Sequence, residues 1–177
     1  MPTLDPARSR LLVVDLQARL MPAIEGAEAV IANAGRLVAA AGLLGVPVLY
    51  TEQNPRGLGP TVPGLGATPD ATLAKMSFDA TREPGALDRL PPDRDLVVAG
   101  CEAHVCVLQT VLGLIAAGRR VHLVRDALGA RRSESRETAI ARMARHGAEI
   151  VTTEMVVFEW LGTSEHPRFR DALALVK

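Results

Sequence analysis

The chain has 177 residues and a mass of 18.8 kDa, which fits one compact domain over residues 1–177. Apolar residues make up 48% of the sequence and charged residues 23%, so the composition supports a packed core and argues against disorder. The 20 basic residues balance the 20 acidic ones and aromatic residues reach only 3%, which argues against nucleic acid or a membrane surface as a partner.

Cysteine usage and the N-terminal residues indicate the compartment. The two cysteines, Cys101 and Cys106, are too few and too close together for a disulfide framework, which favours a reducing environment. The first residues lack the charged and apolar regions of a signal peptide, and no apolar run reaches transmembrane length. We therefore expect a soluble, cytoplasmic protein.

Short apolar runs alternate with longer stretches in which apolar residues recur every three or four positions. The runs are typical of parallel strands covered on both faces, and the longer spacing is typical of amphipathic helices. In chain order the pattern predicts a strand at 11–14, a helix at 24–41, strands at 46–49, near 75 and at 96–99, a helix at 105–115, a strand at 121–124 and a helix at 135–145.

This alternation predicts the fold class. Strand–helix–strand units that cross over with one handedness build a single α/β domain with a doubly wound, Rossmann-like sheet, mostly parallel, and with helices on both faces. We expect six strands in the order 3-2-1-4-5-6. That order places the first and fourth strands side by side.

Two further segments stand out from the alternation. The stretch 54–70 is rich in proline and glycine, and a loop of this length in a small domain indicates a lid or a contact between subunits. Near the end of the chain, Phe158 and Trp160 carry much of the scarce aromatic area. We expect these two rings to cover an edge of the core rather than to enter a subunit interface.

Three side chains that could perform chemistry together follow different strands. Asp15 ends the first strand, Lys75 lies in the third, and Cys106 lies in the first turn of the helix after the fourth. A helix N-terminus lowers the pKa of a thiol, a carboxylate can accept the thiol proton, and an ammonium group can orient both. Taken singly, the three residues have plainer interpretations, namely a buried small side chain, a cap and a surface charge.

Three sequence motifs, in order along the chain, narrow the choice. They are Asp15-Leu16-Gln17 after the first strand, Lys75-Met76-Ser77-Phe78, and the segment from Gly100 to Cys106 followed by Val107. Together they resemble the Asp-x-Gln, Lys-x-x-Phe and nucleophile motifs of the isochorismatase-like cysteine hydrolase superfamily. The resemblance covers residues 9–160, and the loops at 51–59 and 152–155 are similar to those of the isochorismatase-domain-containing hydrolases.

The resemblance implies a set of catalytic groups. Asp15, Lys75 and Cys106 would form a catalytic triad, and a non-proline cis peptide would join Cys101 and Glu102. The backbone N–H groups of Glu102 and Cys106 would form an oxyanion hole, so the Glu102 amide would matter more than its side chain. If the family fold applies, a pocket for a small, partly apolar ligand would be lined by Gln17, Leu20, Tyr50, Gln53 and His104.

A metal site is not expected. The nicotinamidase branch of the family carries Asp-x-His after the second strand, whereas this chain has Glu52-Gln53-Asn54 there. The four histidines are scattered, and the spacing of Cys101, His104 and Cys106 is unusual for zinc. We therefore predict neither a metal nor another cofactor, and nicotinamide is a weaker candidate substrate.

The resemblance implies a hydrolase that cleaves a small amide or related C–N bond through a thioester on Cys106. Three alternatives stay open: hydrolysis of a vinyl ether such as isochorismate, a non-catalytic binding protein, and a redox thiol with Cys101 resolving an oxidised Cys106. The predicted partner is a small-molecule substrate. The resemblance and the rigid 54–70 loop also imply a homo-oligomer, a dimer or higher.

Overall fold

The apolar runs form the strands of one sheet in a computed structural model, which describes residues 3–177. All the strand pairs are parallel and their order is β3-β2-β1-β4-β5-β6, which confirms the predicted fold class and strand order. The strands are β1 (Ser9–Val14), β2 (Val48–Gln53), β3 (Thr72–Lys75), β4 (Asp95–Gly100), β5 (Val121–Leu128) and β6 (Glu149–Val151).

Helices cover both faces of this sheet, as predicted. Alternate strand residues divide the core, so that Leu11 and Val13 pack with α1, α5 and α6, and Leu12 and Val14 pack with α3 and α4. The helices are α1 (Ala27–Leu44), α2 (Pro55–Leu58), α3 (Leu108–Ala116), α4 (Ser133–Arg145), α5 (Thr153–Leu161) and α6 (Phe169–Val176). A π-helical turn over Ala103–Val107 precedes α3.

The first long helix begins and ends three residues later than the hydrophobic spacing predicts. Gly26 has a φ of 67°, a left-handed conformation that suits glycine and separates Ile24 from the helix. At the other end Gly45, with a φ of 72°, follows Leu44 as the cap, and its N–H donates to the Ala41 carbonyl. The apolar spacing marks the buried face of the helix, whereas the two glycines set its ends.

The end of β4 depends on a glycine. Gly100 pairs with Val14 of β1, and a Cβ at this position would lie 2.0 Å from the Val14 carbonyl oxygen. With no side chain in the way, the next residue donates its N–H to that same oxygen at 2.9 Å. The close approach carries the chain from β4 directly past the end of β1, where Asp15 lies.

The 54–70 stretch and the aromatic residues near the end of the chain both contact the core. In the 54–70 stretch Leu65 is buried, and its carbonyl oxygen accepts a hydrogen bond from the Tyr50 hydroxyl at 2.5 Å, so the middle of this loop packs on the core. Trp160 is buried as expected, and its Nε1 donates to Ser9 Oγ at 3.0 Å. Phe158 is 38% exposed, and its ring centroid lies 6.4 Å from that of Phe169, which packs against the core.

Of the helices in the described residues, α1 alone is long and apolar enough to cross a membrane by length and composition. One side of it packs against the sheet, where Ala34, Leu37 and Ala41 are buried in the core. A core helix of a folded domain passes the same test, so this property carries no further conclusion.

Candidate active site

Asp15 lies buried at the carboxyl end of β1. Its backbone has a φ of 49°, and its N–H donates to the Thr51 carbonyl at 3.1 Å. The carboxylate accepts the Thr51 hydroxyl on Oδ1 at 2.6 Å and the Lys75 ammonium on Oδ2 at 2.7 Å. With hydrogen bonds to both oxygens, the carboxylate has a fixed orientation in a site that excludes water.

Lys75 is a buried ion-pair partner rather than a surface charge. Its side chain is 0% exposed, as is that of Asp15. Besides Asp15, Nζ donates to the carbonyl oxygens of Ser77 at 3.3 Å and Phe78 at 3.5 Å. An ammonium group has three protons to donate, so these acceptors compensate for its loss of water.

The thiol of Cys106 joins this pair. Cys106 lies in the π-helical turn and is 7% exposed, and the charges of Asp15 and Lys75 both act on the pKa of its thiol, which puts the three groups close together. The three residues that the motifs single out therefore form one buried cluster, although they come from β1, β3 and the turn before α3.

The expectation of a lowered thiol pKa is wrong. The pKa of Cys106 is raised to about 12, chiefly by burial and next by the charge of Asp15, while the charge of Lys75 opposes this rise with a smaller effect. Removing a group from water disfavours its charged form. The resting sulfur is therefore a protonated thiol.

The backbone before Cys106 contains a polar group that is free to bind a ligand. The peptide bond between Cys101 and Glu102 is cis, and the Glu102 carbonyl accepts the N–H groups of Val105 at 3.0 Å and Val107 at 3.2 Å. The Glu102 N–H has no acceptor within residues 3–177. The Glu102 carboxylate is held by Arg131, whose N–H and Nε donate to Oε2 at 3.2 and 2.9 Å.

Two of the expected pocket residues hold the loops around Asp15. Gln17 is fully buried, and its amide group bonds to the backbone of Gln53 in both directions, at 3.1 and 2.9 Å, and to the Gly59 carbonyl at 2.7 Å. Gln53 donates from Nε2 to the Met76 carbonyl at 3.3 Å. These contacts connect the ends of β1, β2 and β3.

Two other expected pocket residues are not brought to the cluster. Tyr50 is buried in the core on the α1 side of the sheet, the face opposite to Cys106, and burial raises the pKa of its hydroxyl. Leu20 packs against that same side. Side chains alternate between faces along a strand, so one position decides which side of the sheet a residue reaches.

His104 lies next to a separate cleft. A cavity of roughly 380 Å³ is lined by His104, Arg131, Arg132 and Ser135, beside the first turn of α4. The ring atom Nδ1 of His104 is buried without a hydrogen-bond partner among the described residues. Across residues 3–177 no group of three or more His, Cys, Asp or Glu side chains is arranged to hold a metal ion.

Sequence patterns gave no indication of three residues that support the cluster. Thr51 orients the Asp15 carboxylate, and Glu83 binds the turn after Lys75. Thr110 of α3 accepts the Ala80 N–H at 3.0 Å and donates to the Phe78 carbonyl at 3.3 Å. These threonines and this glutamate lie in unremarkable sequence surroundings, and only their contacts in the fold identify them.

The parallel sheet, with Asp15, Lys75 and Cys106 buried together at its carboxyl edge, is an α/β fold of the hydrolase type. Residues 9–155 match the isochorismatase domain, and the chain belongs to the isochorismatase family. It is 39% identical over 175 residues to isochorismatase domain-containing protein 2 of Pongo abelii, covering 97% of this chain and 84% of that protein.

Solved structures support the same assignment. The MAR1 ribonuclease of Caenorhabditis elegans has a TM-score of 0.92 at 36% identity, covering 98% of this chain and 92% of that one. YcaC of Escherichia coli, described as an octameric hydrolase of unknown specificity, has a TM-score of 0.87 at 27% identity, covering 99% and 88%. YcaC of Pseudomonas aeruginosa, solved with covalent acrylamide, has a TM-score of 0.86 at 25% identity, covering 98% and 91%.

Proposed function

We propose that this protein is a cofactor-independent cysteine hydrolase that cleaves a small amide or related C–N bond through a thioester on Cys106. The observation that carries the proposal is the buried ion pair of Asp15 and Lys75, whose two charges both act on the Cys106 thiol. A nucleophile next to a base that a third group orients is the arrangement that covalent catalysis requires.

The first step is attack on the substrate carbonyl carbon. As the sulfur–carbon bond forms, the thiol proton passes to Asp15 and the carbonyl electron pair moves onto oxygen. The Glu102 N–H, which lacks an acceptor within residues 3–177, would donate to this oxyanion together with the Cys106 N–H. Losing one such donor costs about 3–4 kcal/mol of transition-state stabilisation.

The second step releases the amine. The oxyanion re-forms the carbonyl group, the C–N bond breaks, and the proton on Asp15 moves to the leaving nitrogen. A water molecule then attacks the thioester while Asp15 accepts its proton, and the thiol of Cys106 leaves with that proton. Lys75 keeps the carboxylate oriented throughout. Acid–base assistance of this kind contributes about 10²–10⁴-fold.

The raised thiol pKa fits this sequence of steps. A group with a pKa of about 12 is protonated at neutral pH, so attack requires a base in contact with the thiol at the moment of bond formation. Asp15 is in that position. The covalent acrylamide in P. aeruginosa YcaC supports a reactive nucleophile in that relative, because acrylamide takes up nucleophiles at its vinyl carbon while its amide stays intact.

The test is a panel of small amides assayed with the wild-type protein and with Cys106→Ala. We expect ammonia or amine release by the wild type alone, and an acyl adduct on Cys106 when the reaction is quenched in acid and digested for mass spectrometry. Full activity in Cys106→Ala on a confirmed substrate would rule out the covalent mechanism.

RNA cleavage is the second candidate, because the C. elegans protein with the same fold is described as a ribonuclease. An RNA phosphodiester offers no acyl carbon for a thioester, and the balanced charge of this chain provides little attraction for a polyanion. We expect labelled RNA to stay intact in the presence of the wild-type protein. Cleavage that persists in Cys106→Ala would indicate a different site.

We also propose a homo-oligomer, since E. coli YcaC is octameric. Met76 and Phe78, on either side of Ser77, are 68% and 49% exposed in the single chain. Large exposed apolar side chains mark surfaces that another subunit covers. Light scattering after size-exclusion chromatography should give a mass well above 18.8 kDa. A monomer at micromolar concentration would contradict this.

A further inference from the structure

The turn after β3 accepts hydrogen bonds from the Lys75 ammonium, in addition to the bond that Asp15 accepts. Two of the three acceptors of Nζ are backbone carbonyls of this turn, Ser77 at 3.3 Å and Phe78 at 3.5 Å. Both distances are at the long end of the hydrogen-bonding range, so a small displacement of the turn would break these bonds. The position of the turn therefore decides where the ammonium group rests.

Glu83 holds this turn from outside the triad. A single carboxylate oxygen, Oε1, accepts the N–H of Met76 at 3.1 Å, the N–H of Ser77 at 3.1 Å and the hydroxyl of Ser77 at 2.6 Å. These bonds, with the Ser77 hydroxyl contributing most, hold the pKa of Glu83 below its ordinary value, and the charge of Lys75 adds to the effect. Glu83 is therefore ionised at neutral pH and accepts strongly.

Within one subunit, packing contributes little to holding the turn on this side. The side chains of Met76 and Phe78, which flank Ser77, are 68% and 49% exposed. On the inner side, the Phe78 carbonyl is held by the Thr110 hydroxyl at 3.3 Å. Within one subunit, hydrogen bonds rather than apolar contacts hold the Met76–Ser77 half of the turn. Glu83 accepts three of them, and the others join Gln53 Nε2 to the Met76 carbonyl at 3.3 Å and the Ser77 hydroxyl to the Asp79 carbonyl at 2.8 Å.

We infer that Glu83 is a positioning residue of the triad, which fixes the Met76–Ser77 turn and thereby sets the place of the Lys75 ammonium beside the Cys106 thiol. The inference rests on the proposed function, and Glu83 itself touches no reacting atom. Its effect on Cys106 passes through Lys75, whose charge lowers the pKa of the thiol against the effects of burial and Asp15. Displacing the ammonium removes that contribution.

The experiment measures the rate at which iodoacetamide alkylates Cys106 between pH 7 and pH 10, read by peptide mass spectrometry. The variants are Glu83→Ala, which removes the acceptor, and Glu83→Gln, whose Oε1 can still accept all three bonds. Glu165→Ala, which removes an exposed carboxylate in the segment before α6, is the matched control. Thermal melting of each variant confirms that it is folded.

We expect Glu83→Ala to react about tenfold more slowly at each pH, because one unit of thiol pKa changes the thiolate fraction tenfold. Glu83→Gln and Glu165→Ala should stay within about threefold of the wild type, since a threefold change is less than half a pKa unit. An unchanged rate in Glu83→Ala, or an equal loss in Glu83→Gln, would overturn the positioning role.

A second variant covers the case in which Glu83→Ala does not fold. Ser77→Ala removes the shortest of the three bonds and leaves both backbone amides on Glu83, so we expect a partial loss of rate. A rate equal to the wild type in Ser77→Ala would then overturn the inference. Failure of the proposed function is a separate result, namely wild-type Cys106 reacting no faster than Cys101.

Discussion

Cys101 and Cys106 are both buried, but only Cys106 lies beside a buried ion pair. Cys101 is 0% exposed and Cys106 is 7% exposed, and burial is the largest effect that raises the thiol pKa of each. They are five positions apart, yet Cys101 packs on the α1 side of the sheet and Cys106 on the α3 side. Burial is common to both, so it cannot be what makes a nucleophile.

The difference lies in the groups that contact each sulfur. Cys101 faces the backbone of Gly129, where a Cβ would lie 2.6 Å from Sγ, while the charges of the Asp15 carboxylate and the Lys75 ammonium both act strongly on the thiol of Cys106. One thiol fills space and the other has a base and a cation beside it. The comparison teaches that the two thiols differ in the ion pair brought in from two other strands, which is why we propose Cys106 and not Cys101 as the nucleophile.

The largest expected effect is on turnover. Cys106→Ala should lower kcat on a responsive amide by about 10³-fold or more, because it removes the atom that forms the covalent bond. Cys101→Ala makes the same chemical change in a site without the ion pair and should keep most of the activity of the folded protein. Steady-state assays of the two variants check this, and a similar loss in both would remove the distinction.

The next largest effect concerns the ion pair between Asp15 and Lys75. Lys75→Met leaves the buried Asp15 carboxylate without its partner and should lower the free energy of unfolding by about 3–5 kcal/mol. The double variant Asp15→Leu/Lys75→Met removes both charges and should recover part of that loss. Urea denaturation measures the cycle. Additive losses would mean that the two charges do not interact.

A smaller effect is expected on the Cys101 side. Gly129→Ala adds a Cβ that would lie 2.6 Å from Cys101 Sγ and 2.7 Å from Ile24 Cγ2, so repacking should cost about 1–3 kcal/mol of unfolding free energy. The iodoacetamide rate at Cys106 should not change in this variant. A stability equal to that of the wild type would show that the Cys101 pocket is looser than described.

The smallest expected effect is that of peroxide, which should not join the two thiols in a disulfide. Both cysteines are free, and their side chains pack on opposite sides of the sheet. A disulfide needs the two Cβ atoms to face each other at short range, so none should form without backbone movement. Non-reducing mass spectrometry after mild peroxide checks this, and a crosslinked peptide pair would favour the redox-thiol alternative.

Apolar runs and strand–helix alternation predict a parallel sheet, because a sheet buried on both faces leaves a continuous apolar pattern such as that of Leu11 to Val14. The strand order comes from the common doubly wound arrangement. The three-residue strand β6 is too short for the pattern to locate. The candidate triad could be named because its members follow strand ends in motifs. The polar contacts that support it could not, since Thr51, Glu83 and Thr110 meet it only through tertiary structure.

Two errors have physical causes. The position of Cys106 near a helix start predicts a lowered thiol pKa. Desolvation raises this pKa instead, and it depends on side chains from several elements, which a short motif does not show. Tyr50 was assigned to the pocket from its place at the end of a strand, but it faces the α1 side. In a strand buried on both faces, apolar character does not show which face a residue takes.

The central claim is that Asp15, Lys75 and Cys106 act on one another as a unit. The most direct measurement is the pH dependence of Cys106 alkylation by iodoacetamide in the wild type, Asp15→Asn and Lys75→Met. We predict a rate that rises tenfold per pH unit toward a thiol pKa of about 12, a curve shifted to lower pH in Asp15→Asn, and a curve shifted to higher pH in Lys75→Met. Curves that coincide in all three folded proteins would contradict the claim.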